Sequence, residues 1–112
     1  MQTTPIPRTV RQAFRIIDLM ISPEEKQKIL SQSESEFVFS QHLGLGLWIR
    51  NNWIYQDENN QGLFSKQLIE PGYLAHEDSL SEDFLHRYYQ HLKRQNKANQ
   101  YTNDHLSFRH LV

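Results

Sequence analysis

The sequence predicts an all-α single domain of about five helices built around one central apolar helix, running from about Ser33 to Trp53. Three observations predict it. Apolar residues recur at helical spacing near both ends of the 112-residue chain. Helix-start signals of the Ser/Thr-x-x-Glu/Gln form stand at Thr9, Ser22, Ser33 and Ser79. The stretch His42 to Trp53 is strongly apolar and holds both tryptophans.

Met1 to Pro7 is a short lead with two prolines and no periodicity. Thr9-Val-Arg-Gln12 then reads as an N-cap with a glutamine three residues on. Val10, Ala13, Phe14, Ile17, Met20 and Ile21 follow at helical spacing, which gives a first amphipathic helix. Ser22-Pro-Glu-Glu25 supplies a cap, a proline at the first helical position and acids in the first turn, and opens a short second helix through Leu30. A Ser/Gln/Glu-rich stretch, Ser31 to Glu36, leads to the central helix.

On that helix, at about 100° per residue, Ile49 and Trp53 fall within roughly 20° of His42, with Gly46 about 40° and Arg50 about 80° round. Val38, Phe39, Leu43, Leu45 and Leu47 widen the apolar arc past half the circumference. A strand is the rival reading, because Leu43, Leu45 and Leu47 alternate with Gly44 and Gly46. The capping box at Ser33 and the helical spacing of the flanks favour helix, and the glycines then mark a close approach by another element.

After Tyr55 comes a polar loop, Gln56 to Gly62, and a short fourth helix on Leu63, Phe64, Leu68 and Ile69, stopped by Pro71 and Gly72. Ser79-Leu-Ser-Glu82 opens the last long helix, striped by Leu80, Phe84, Leu85, Tyr88 and Leu92. From Gln95 the composition turns polar and the helix is expected to fray. The single domain 1–112 thus divides into a core, 7–92, and a polar tail, 95–112, with enough apolar content to dock.

Composition narrows the function. Net charge is −1, so no general basic field exists for nucleic acid. Absence of cysteine excludes disulfides, thiolate metal sites and a cysteine nucleophile. No apolar run reaches the roughly 18–20 residues of a membrane span, and the polar N-terminus does not read as a signal peptide, so a cytoplasmic protein without a membrane partner is expected. His86 and His91 are five apart, about 140° round a helix, and cannot chelate one metal, so neither metal nor cofactor is expected. Basic residues cluster only as Arg8, Arg11 and Arg15 on the first helix and Lys93, Arg94 and Lys97 on the last, which reads as a solvated face.

One polar cluster stands out. His42, Arg50 and Asn51 lie in or beside the apolar arc, and a buried cation needs a partner. Asp78 is the expected partner of Arg50, or a backbone carbonyl near it, with Glu77 and His76 close by and His42 largely buried. The cluster is either a salt bridge locking the last helix onto the central one or a polar pocket for a small ligand or acid–base work. Phe37 and Trp48, eleven residues apart, share another side of the helix, where a second helix covers them or they anchor a partner. Glu34, Glu36, Asp57 and Glu58 would give that side acidic character.

These residues resemble a small bacterial family known as a domain of unknown function. The resemblance rests on Pro7, Thr9 and Ala13; on a central His-x-x-x-Gly-x-x-x-Arg-Asn-x-Trp motif, here His42, Gly46, Arg50, Asn51 and Trp53; and on a Gly-x-x-x-His-x-Asp-x-x-Ser segment, here Gly72, His76, Asp78 and Ser81. It spans about Pro7 to Leu92 and implies no activity. Small bacterial proteins of this kind are often immunity proteins encoded beside a toxin. The expectation is therefore a non-catalytic cytoplasmic protein-binding module that neutralises a cognate bacterial toxin. The alternative is a small-molecule-binding protein or enzyme using a His42/Arg50/His76/Asp78 pocket.

Overall fold

The computed structural model describes residues 6–55 and 77–110, with side chains of the last helix described from 79 to 100. All regular structure among the described residues is helical. The helices are α1 (Val10–Met20), α2 (Pro23–Leu30), α3 (Glu34–Ser40), α4 (Leu45–Ile49) and α5 (Glu77–His110). α4 continues directly into one π-helical turn, Arg50–Ile54, closed by the Tyr55 N–H donating to the Arg50 carbonyl at 2.8 Å. The expected fourth helix, Leu63 to Ile69, lies outside the described residues. None of the described helices is long and apolar enough to cross a membrane.

Three of the four start signals act as read, whereas the last helix begins at Glu77, two residues ahead of the start expected at Ser79. Thr9 Oγ1 accepts from the Gln12 N–H at 3.1 Å, and Ser22 with Glu25 and Ser33 with Glu36 form reciprocal capping boxes. The element that organises the fold is α5, against which α1 to α4 and the π turn all pack. Leu80, Phe84, Leu85 and Tyr88 on α5 are fully buried against Ala13, Ile17, Phe37, Ile49, Trp53 and Ile54. Aromatic rings carry much of this contact: Trp53 meets Phe84 edge-on with centroids 5.9 Å apart, and Phe14 lies 5.6 Å from Phe84.

Two expectations are corrected. The stretch from Ser33 to Trp53 is helical at both ends but is not one helix, because the chain turns through residues 41–44. Gln41 accounts for the break. Its carbonyl accepts from Gly44 at 3.1 Å and Gly46 at 2.8 Å, while its side-chain Oε1 takes the Leu45 N–H at 3.1 Å. Gln41 therefore ends α3 and caps α4 at once. Second, the helix expected to fray from Gln95 continues to His110, since no glycine or proline interrupts the chain after Gly72.

The glycines play the expected part at one position. A Cβ on Gly46 would stand 2.9 Å from the Gln41 carbonyl oxygen, 3.3 Å from Arg50 Nη1 and 3.4 Å from Leu85 of α5. The bare Cα thus allows the turn, the arginine and the crossing helix to meet.

Candidate functional site

Arg50 is 3 % exposed and sits where the α3–α4 turn meets α5. Its Nη1 donates to Ser81 Oγ at 2.8 Å and its Nη2 to the His42 carbonyl at 2.9 Å. Ser81 is itself fully buried. The guanidinium thereby ties two segments far apart in sequence, with charge-assisted bonds offsetting desolvation of the cation. The side chain of Asp78, and all of His76, lie outside the described residues. Asn51 is exposed.

His42 departs from expectation. Its carbonyl serves Arg50, but its ring is 37 % exposed and Nδ1 lies 3.9 Å from Glu82 Oε1. The cause is the turn: placed beyond the end of α3, His42 no longer shares a helical face with Ile49 and Trp53.

The expected partner surface also rearranges. Phe37 is fully buried, its ring 5.9 Å from Tyr89, so it is core and not an anchor. Trp48 is partly buried and meets Trp53 edge-on at 5.1 Å. Glu34 bonds His86 Nδ1 at 2.7 Å and accepts from Gln90 Nε2, linking α3 to α5. Burial pushes its carboxyl upward, but the bonds from His86 and Gln90 and the charges of His86 and Lys93 outweigh this and hold it below the usual range. Glu36 is exposed and completes the capping box with Ser33. Asp57 and Glu58 lie outside the described residues.

In place of Phe37, Phe39 on α3 is 87 % exposed and Leu43 in the turn 75 %. Both line a hollow of about 600 Å³, together with Val38, His42, Glu82 and His86. Leu43 is carried off the helical arc by the break at residues 41–44, which a helical-wheel reading could not show, whereas Phe39 faces outward from α3 itself, beside buried Phe37 and Val38.

A second centre also escaped the sequence. Asp18 on α1 accepts from the Tyr88 hydroxyl at 2.8 Å, from Gln95 Nε2 at 3.0 Å and from His91 Nε2 at 2.9 Å, and Lys26 Nζ of α2 lies 3.7 Å away. Phe14 stacks on the His91 ring at 4.5 Å. Burial pushes the Asp18 carboxyl up, yet its hydrogen bonds and the His91 charge bring the net shift below the usual range. Tyr88 moves the other way: burial, then its bond to Asp18 and that carboxylate's charge, raise its phenol above the ordinary value. The periodicity of α5 hinted at this centre, since Tyr88, His91 and Gln95 recur at helical spacing. Asp18, between apolar residues on α1, was its unread counterpart.

Among the described residues, no three histidine, aspartate or glutamate side chains gather to hold a metal. Residues 6–92 match the model of a domain of unknown function, DUF6794, over nearly the same span as the resemblance read from the motifs. No curated protein and no solved structure matches the chain.

Proposed function

Because the chain belongs to the domain-of-unknown-function family DUF6794, whose name specifies no activity, its exposed chemistry is the guide to its role, and we propose that it is a protein-binding module that docks through Phe39 and Leu43. The observation that carries this reading is the pairing of two large, exposed apolar side chains over one hollow. Fully covering a side chain of this size stabilises a complex by about 1.5–3 kcal/mol, and aromatic anchors in pockets supply much of an interface's energy. Glu82, exposed, lines the hollow with negative charge and favours a partner with a basic rim. Glu34 contributes less, since His86 and Gln90 occupy it.

In its specific form, the chain is a cytoplasmic bacterial immunity protein that covers a basic, nucleic-acid-directed toxin. The competing reading is a catalytic or ligand pocket on His42, Arg50, His76 and Asp78, in which buried Arg50 donates to Ser81 and the His42 carbonyl. Co-expression with the product of the adjoining reading frame tests the proposal. The expected result is that the parent chain restores growth and the Phe39→Ser/Leu43→Ser variant, folded by circular dichroism, does not. Rescue by that variant would overturn the docking face, and toxicity unaffected by the parent chain would overturn the immunity reading.

A further inference from the structure

Independently of that face, α1 and α5 bring together basic residues that are distant in sequence. Arg11 and Arg15 of α1 and Arg94 of α5 line one hollow of about 440 Å³, floored by Phe14, Asp18, His91 and Gln95. A neighbouring hollow of about 340 Å³ shares Phe14 and Arg94 and adds Arg87 and His86. Arg87 is engaged with Asp83 at 2.9 Å. Arg11, Arg15 and Arg94 make no ion pair among the described residues. Asp18, the acid that lines this hollow, is directed to Tyr88, His91, Gln95 and Lys26.

We infer that the groove between α1 and α5 is a binding site for a small phosphorylated molecule, its phosphate held by Arg11, Arg15 and Arg94. Guanidinium groups suit this ligand because each offers a planar fork of donors and stays charged, and a phosphate presents three acceptor oxygens. The hollow lies in the size range of small-molecule sites, about 300–1,000 Å³. Phe14, already stacked on His91, borders both hollows and offers an apolar surface to the organic part of the ligand. A long nucleic acid fits poorly: the net charge is −1, and Glu34 borders the adjoining hollow.

The full chain titrated with inorganic pyrophosphate and with adenosine monophosphate, at matched ionic strength, tests this. The readout is the Nε–Hε resonances of the arginines by NMR. The expected result is saturable shifts at Arg11, Arg15 and Arg94, with affinity about tenfold weaker in each of Arg15→Gln and Arg94→Gln. Lys28→Gln on α2, outside the groove, leaves affinity unchanged. These are exposed side chains, and circular dichroism confirms that each variant folds. Non-saturating shifts spread over all cationic side chains would show only diffuse counterion attraction and overturn the site. A single-stranded oligonucleotide binding more tightly than adenosine monophosphate would overturn its assignment to a small molecule.

Discussion

Replacing Asp18 by asparagine keeps the shape of the α1–α5 junction and removes its charge. Oδ1 accepts from Tyr88, while Oδ2 accepts from both His91 and Gln95. An asparagine can face its carbonyl toward one side only, so its amide N–H₂ meets donors on the other. With the side chain 18 % exposed, solvent repairs little of that loss. Hydrogen bonds to charged groups are worth about 1.5–3 kcal/mol each, and the partial exposure of His91 and Gln95 brings the net cost of losing two to about 2–3 kcal/mol. Urea unfolding followed by tryptophan fluorescence measures it, with fully buried Trp53 as reporter. At a slope of about 1–3 kcal/mol per molar, the midpoint falls by about 1–2 M. The same experiment on Glu24→Gln, an exposed first-turn acid of α2, gives the background. An Asp18→Asn midpoint no lower than that of Glu24→Gln would refute the role assigned to this junction.

Further outcomes follow from the same contacts. Ser81→Ala removes the 2.8 Å acceptor of buried Arg50 and should destabilise by about 1.5–3 kcal/mol in the same assay. Gly46→Ala should cost about 1–3 kcal/mol, because its methyl would meet the Gln41 carbonyl at 2.9 Å, whereas Gly44→Ala meets only the Gln41 side chain and should cost less. Asp18 and Glu34 both titrate below their ordinary values of 3.8 and 4.5, so their stabilisation is present above those values and lost as pH falls through the lower folded ones. Asp83, raised by burial against the opposing effect of Arg87, acts with opposite sign: its contribution is present below 3.8 and lost as pH rises through the higher folded value. Acid unfolding of the parent should therefore be sensitive to Asp18→Asn, with a shallower fall in stability below pH 3.8 in the variant.

What the sequence revealed and what it hid have separate physical origins. Capping boxes at Ser22 and Ser33 are local, involving residues three apart, and could be read directly. The apolar stripe Leu80, Phe84, Leu85, Tyr88 and Leu92 could be read because one uninterrupted helix carries it. The burial of Arg50 followed from its position among apolar residues, although Ser81 and the His42 carbonyl are the partners described, and Asp78's side chain lies outside the described residues. The turn at residues 41–44 was hidden because it depends on Gln41, a residue with no strong turn preference, accepting three bonds at once. One such break changes the phase of everything after it, sending Leu43 and the His42 ring outward, beside Phe39 at the end of α3. The Asp18 junction was hidden for another reason: its groups lie more than seventy residues apart or nearly so, and no periodicity within one helix reports a contact between two.

The proposed protein-binding role depends most heavily on Phe39 and Leu43 as the docking pair. Isothermal titration of the purified chain with the partner identified by growth rescue tests this directly. The Phe39→Ser/Leu43→Ser variant should keep the parent's urea midpoint to within about 0.5 kcal/mol in stability, as surface substitutions do. Its dissociation constant should rise by at least about a hundredfold, the weight of an interface anchor of about 3 kcal/mol. An unchanged dissociation constant in the folded variant would contradict the central claim.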